Sequence, residues 1–460
     1  MLNNFFFSTF GFIITLGLLV IVHEWGHYQV ARWCGVRVLR FSVGFGSVLW
    51  RRQRHPGATE FTLSALPLGG YVRFLDSREG VVLPSERAFT FDAKPLRQRA
   101  AIVAAGPLLN LLLAVLLFTL VAWTGKKEPE AVLATPPAAS LAAQAGLRAG
   151  DRVLATRSTE ASEWRDVISF ADLFQSLDQA AGQGQSLHLL VGKEEGRKRQ
   201  EVLLELSHLG EGAQLDLKTI TRIGLRGGYA EPVMGEVKAG GAASAAGLQK
   251  GDRVLLVDEQ VVLDAAWLRD RIRAHVDAPA PMHWTIERAG QRMTLQVSPK
   301  VSTEGEARFG RVEAFIGSPP PMIEVSYGLI EGLERGVTRT IEMSTFSLKM
   351  LWRMLTGEAS LKNLSGPLSI AEGAGQSVQR GLSDYLEFLA LVSLSLGVLN
   401  LLPLPMLDGG HLMYYLFEGL TGRPVSDVWL KWLQRGGALA LLLMMTIALS
   451  NDLVRLFGLP

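Results

Sequence analysis

Two histidines four residues apart, with a glutamate beside the first, stand at His23-Glu24-Trp25-Gly26-His27. On a helix such positions share one face, so both imidazoles can hold a single metal ion. Glu24, one position along, can reach a water at that ion and take its proton. The setting is unusual. Residues 1–22 carry no charged side chain, and the stretch 5–22 is almost wholly apolar. Two imidazoles and a carboxylate at the end of a membrane helix are costly to place there and mark a functional site. A chance match on a soluble helix end would lack that run.

The elements that must position these residues are membrane spans. The chain has 460 residues, 48% hydrophobic and 20% charged, which fits a protein partly embedded and partly in water. A net charge of +2 gives no reason to expect nucleic acid as a partner. The single cysteine, Cys34, excludes an internal disulfide and any C-x-x-C site. Apolar segments at 5–22, 100–123, 388–407 and 436–450 are candidate spans. The first lacks a basic leader and a small-residue cleavage site, so it is read as retained. Between residues 28 and 97 lie eleven basic residues against five acids. The positive-inside rule makes this loop cytoplasmic, with both termini and residues 124–385 outside.

The outside region repeats itself. Ala145-Gly-Leu-Arg-Ala-Gly-Asp-Arg-Val-Leu154 recurs as Ala246-Gly-Leu-Gln-Lys-Gly-Asp-Arg-Val-Leu255, 101 residues later. That spacing implies two copies of one domain rather than a solenoid. The motif resembles PDZ domains of envelope proteases, whose sheet edge can pair with a peptide. Ile223, Gly224 and Leu225 are read as the peptide-carboxylate loop of the second copy. Beyond a proline-rich link at 319–321, Ile330, Leu333, Val337, Ile341, Leu348, Leu351 and Leu355 recur at helical spacing. They form an amphipathic helix expected against the membrane surface or the repeat pair, closed by turn residues at 363–370.

A hydrolytic zinc site needs a third protein ligand and an open position. Asp408, in Asn400-Leu-Leu-Pro-Leu-Pro-Met-Leu-Asp-Gly-Gly-His411, is the acid beside another span that the deduced topology brings to the level of His23 and His27. Two prolines break that helix, which is tolerable at depth only where backbone lines a cavity or is buried in protein. His411 is the rival ligand.

H-E-x-x-H on the first span, N-x-x-P-x-x-x-x-D-G on the third and a PDZ tandem between them resemble the site-2 protease family of intramembrane metalloproteases. The likeness covers the whole chain. It implies Zn²⁺ held by His23, His27 and Asp408, Glu24 as general base, and Asn400 holding substrate near the metal. It also matches Gly69, Gly70 and Tyr71 to a membrane re-entrant β-loop and Gly44 and Gly46 to the G-x-G element beside it. An extended edge at 62–74 would accept an unwound substrate strand, with Gly69 and Gly70 allowing close approach.

The expected architecture is thus a polytopic α-helical membrane protein with four transmembrane helices, a cytoplasmic re-entrant β-loop and two extracytoplasmic, mostly β PDZ domains. Its expected divisions are 1–28, 29–97, 98–124, PDZ copies at 128–222 and 223–305, a helix and linker at 322–380, then 384–413 and 430–456. By the same resemblance it is a monomer of the bacterial inner membrane, with termini and PDZ pair periplasmic. Its substrate would be a single-span membrane protein, an anti-sigma factor already trimmed outside, with remnant signal peptides as further candidates. A transporter should instead repeat its membrane segments, and a catalytically dead PDZ scaffold should have lost the ligands.

Overall fold

The computed structural model describes residues 2–192, 199–210, 215, 217–276, 280–304, 307–357 and 366–457. The chain divides into two compact units, residues 1–126 with 326–460, and residues 127–325.

The first unit is built on helices. In chain order it contains α1 (Leu2–Trp33), strands β1 (Val38–Arg52) and β2 (Glu60–Phe74), α2 (Leu96–Thr124), α3 (Leu329–Leu355), α4 (Pro367–Arg380), α5 (Leu382–Leu401), α6 (Asp408–Thr421) and α7 (Asp427–Phe457). Among the described residues four helices are long and apolar enough to cross a membrane, at Phe7–Trp33, Leu96–Thr124, Leu382–Leu401 and Val428–Arg455. Their outward surfaces agree. Leu108, Leu112, Leu116 and Leu120 form an exposed stripe on α2, and Leu439, Leu442 and Leu443 are exposed on α7. Such apolar surface is unfavourable in water and matched in hydrocarbon.

α2 is the central post. Leu19 of α1, Ala114, Leu117 and Phe118 of α2, and Leu389, Ala390, Leu394 and Val398 of α5 form one core. α5 comes close because it offers Gly397, where a Cβ would stand 3.0 Å from the Pro107 carbonyl oxygen. Small residues drive such approaches where burial of apolar surface gives no net gain.

Three segments differ from their sequence-based expectations. The third apolar segment, expected as one span over 384–413, stops at Leu401, and a new helix begins at Asp408. Pro403 and Pro405 lack the N–H that would continue the ladder, and each disfavours helical backbone before it. The amphipathic helix α3 lies along α2, within the membrane unit. Gly332 rests on Trp123 and Gly336 on Thr119, and the Trp123 indole N–H donates to Leu329 O at 3.1 Å. Its glycines, spaced one helical turn apart, provide a packing face that the apolar stripe concealed. The following turn was expected at 363–370; residues 363–365 lie outside the described residues, and Pro367 opens α4. That fourth helix, unforeseen, packs Ala374 against Gly11 of α1.

The hairpin folds back on itself. Residues 40–43 of β1 pair with 70–73 on one side and 60–63 on the other, while 48–52 pairs with 61–64. Its lateral order is therefore 70–74, 38–43, 60–64, 48–52. The expected free edge of 62–74 is thus corrected: 62–64 is interior, and 70–74 is the open edge on the α1 side.

The unit at 127–325 contains the sequence repeat as a structural one. Strands Arg165–Asp166, Arg152–Arg157, Leu187–Gly192 and Gln200–Leu204 form a four-stranded sheet. Gln260–Val261, Arg253–Val257, Met282–Arg288 and Gln291–Val297 form its counterpart in the same order. The shared Gly-Asp motif has a mechanical role. Asp151 accepts from the Arg148 N–H and Asp252 from the Gln249 N–H, each at 2.8 Å, tying the turn before the strand. Burial opposes the charged form of Asp252, yet bonds from Arg288 and Gln249 hold its carboxyl below the ordinary carboxylate range.

The boundary between copies is also corrected. Ile223 and Leu225 are buried in the first core, which runs from Ala131 to Leu225, whereas the second runs from Met234 to Ile316. The closing segment of each copy follows its sheet, so 223–225 belongs to the first copy and 312–316 to the second.

Candidate metal centre

His23 and His27 project from one face of α1 at a place where α2 crosses it closely. A Cβ on Gly26 would stand 2.5 Å from the Ala105 carbonyl oxygen, and one on Gly106 would overlap the His27 ring. The glycine within H-E-W-G-H is therefore a packing requirement. This approach lets His27 Nδ1 donate to Ile102 O at 2.8 Å, which leaves its Nε2 free to face inward.

Asp408 arrives as the first residue of α6. The chain before it doubles back tightly, and a Cβ on Gly409 or Gly410 would overlap the backbone of Leu401, Leu402 and Leu404. Only glycines fit after this aspartate. Its Oδ2 lies 3.2 Å from His23 Nε2 and 3.5 Å from His27 Nε2, and the two imidazole nitrogens are 3.2 Å apart. Three ligands at about 2.0–2.1 Å from a tetrahedral zinc stand about 3.4 Å from one another. The donor types and spacings fit zinc. Among the described residues these three form the group that could hold a metal ion. His411 lies on the same cavity wall but outside that group.

Glu24 sits beside the cluster, buried, and accepts a hydrogen bond from the backbone N–H of Val72 on the hairpin's open edge. Gly70 makes this possible. Its Cβ position is 2.7 Å from Ser42 O, 2.8 Å from Val20 Cγ1 and 3.1 Å from Glu24 Cγ, so the strand lies directly on α1. The cavity here is about 790 Å³ and brings His23, Glu24, His27, Gly69, Gly70, Tyr71, Asn400 and Asp408 to one wall system. It is large enough for several residues of an extended peptide.

Residues 11–444 match Peptidase family M50. The chain belongs to that family. A relative from Ralstonia nicotianae that carries a zinc-metalloprotease name is 41% identical over 98% of this chain and 99% of its own length. The regulator of sigma-E protease RseP of Salmonella typhimurium is 38% identical, covering 97% and 98%. Its namesake in Escherichia coli is 37% identical, covering 98% and 100%. This M50 protein is accordingly an intramembrane zinc metalloendopeptidase, and its multiple spans agree with the four apolar helices.

The remaining expected site residues divide clearly. Gly44 and Gly46 stand back from the cavity, both at positive φ (89° and 86°), where β1 turns against Ser64 and Leu66. They shape the hairpin and do not line the site. Tyr71 stacks on Phe45, with its hydroxyl accepting from Arg40 at 3.3 Å. Ile223 and Leu225 are core residues of the first repeat copy, and Gly224 sits on Ser140 of that same copy. The open groove of the second copy is instead the space of about 780 Å³ lined by Arg269, Arg273 and residues 309–316.

Sequence reasoning passed over several cavity residues. Arg99 and Glu418 join α2 to α6 across the wall at 2.6 Å. Asn110 is fully buried beside His23. The signal for Asn110 was present, as an amide within the charge-free run 100–123.

Proposed function

We propose that the protein cuts single-span membrane proteins inside the bilayer, with zinc on His23, His27 and Asp408 and Glu24 as general base. The observation carrying this reading is the convergence of those three donors beside Glu24, under an open strand edge. Bound zinc supplies Lewis-acid polarisation of the scissile carbonyl and an acidified water. The Glu24 carboxylate takes the proton from the attacking water and returns it to the departing amine nitrogen. The Val72 N–H holds that carboxylate in place. Because a helical substrate hides its carbonyls in its own hydrogen bonds, the edge at 70–74 supplies replacement partners by strand addition. Asn400, on the same cavity, holds the substrate beside the site. The test is purified protein with a single-span peptide substrate in bilayers. Cleavage within the span, lost on chelation and restored by zinc, is expected; cleavage only outside the span would overturn the reading.

Strand addition makes a separate prediction. Substrates with helix-weakening residues in their span should be cut faster than Leu- or Ala-rich ones, since less helix must be undone. Gly70→Ala should lower kcat at least about tenfold with zinc retained, because the added carbon separates the edge from Glu24. Indifference of the rate to both changes would exclude the edge as the substrate platform.

By likeness to relatives named for sigma-E regulation, the substrate is an anti-sigma factor trimmed outside by another protease, with remnant signal peptides a second class. The basic loop at 28–97 supports an inner-membrane orientation with termini and repeats periplasmic. The repeats, read as PDZ domains, stand between the second and third spans in chain order and act as a size filter. Deleting 128–316, with the spans rejoined by a flexible linker, should therefore permit cleavage of untrimmed substrate. If the second-copy groove were an essential receptor, the deletion would abolish cleavage of trimmed substrate as well.

A further inference from the structure

We propose that Asn110 is the positioning residue that fixes His23 as a metal ligand, by accepting a hydrogen bond from its Nδ1–H. This rests on the zinc-site reading above and extends it to a residue on another helix. His23 turns Nε2 toward His27 Nε2 and Asp408 Oδ2, both at 3.2 Å, so Nε2 is the nitrogen that faces the metal position. A ligating nitrogen must offer a lone pair. The single proton of the neutral ring is then on Nδ1, and whatever faces Nδ1 must accept it.

The group that faces it is the Asn110 amide, with Nδ2 3.3 Å from His23 Nδ1. Asn110 is completely buried, and its Oδ1 has no hydrogen-bond partner. An amide turned by 180° exchanges oxygen for nitrogen with almost no change in shape, and the hydrogen-bond network decides between the two. The turned amide gives the orphaned oxygen a donor and gives His23 the tautomer that ligation requires. The comparison with His27 supports this. His27 Nδ1 donates to a backbone carbonyl, Ile102 O, at 2.8 Å. Both ligands are thus held from α2, one by a main-chain oxygen and one by a side-chain oxygen. Ser393 of α5 fixes the post itself, its hydroxyl donating to Asn110 O at 2.7 Å.

The arrangement requires an acceptor at position 110, and two substitutions separate that from mere volume. Asn110→Leu keeps the size and removes the acceptor; Asn110→Asp keeps the acceptor and removes the donor. Full-length protein in detergent is loaded with zinc, and loss of metal to a chelator is timed. The expected result is release about 10–100-fold faster from Asn110→Leu and at the parent rate or slower from Asn110→Asp. Cobalt in place of zinc should give a visible spectrum altered in the Leu variant and retained in the Asp variant. Parent-like zinc retention in Asn110→Leu would overturn the proposal. So would equal losses in both variants, which would assign the site's need to the amide donor or to packing. If the zinc site were elsewhere, His23→Ala would leave retention unchanged, which distinguishes failure of the site from failure of Asn110.

Discussion

Glu24→Gln should yield a protein that holds zinc and substrate but turns over at about 10²–10⁴-fold lower kcat, the range for loss of a general base. The amide retains a carbonyl oxygen to accept the Val72 N–H, so the side chain keeps its place on the open edge. It cannot take a proton from water. The loss should fall on kcat with KM little changed, because the substituted group acts in the chemical step rather than in binding. Substrate should co-purify with the variant, being bound and uncut. Single-turnover assays on metal-loaded protein read this directly, and turnover near the parent rate would remove Glu24 from the mechanism.

His23→Ala, His27→Ala and Asp408→Ala should each lose stoichiometric zinc and with it all measurable activity. The donors stand 3.2–3.5 Å apart, so removal of one leaves two ligands and a cavity open to water. The Asp408 variant is the most informative, because that ligand comes from a helix start rather than from α1. Metal analysis of each purified variant gives the answer. Full occupancy in Asp408→Ala would transfer the third ligand to His411, which lies on the same wall.

What was legible in the sequence was local in origin. The four-residue spacing of His23 and His27 becomes a shared face through helix geometry alone. The spans were legible because hydrocarbon admits little but apolar helices. Even so, the third span is shorter than its apolar run suggests, because Pro403 and Pro405 end it at Leu401 and a separate helix begins at Asp408. The repeat was legible through the Gly-Asp turn, whose aspartate binds a backbone N–H three residues earlier in both copies. Its closing segments carry no such signature, so only the packed core shows that Ile223 and Leu225 belong to the first copy.

By itself, then, the sequence determined the helix that carries His23 and His27 on one face, the carboxylate beside them, the apolar spans and the duplicated motif, because each depends on neighbours within a few turns of chain. Tertiary structure decided which edge of the hairpin lies on Glu24, that Asp408 rather than His411 completes the donor cluster, and that α3 packs along α2. It also brought Asn110 to His23. These depend on where two backbones can touch, and the glycines at 26, 70, 106 and 336 permit that contact only against partners far away in the chain. A glycine in a sequence shows that something comes close; only the folded chain shows what.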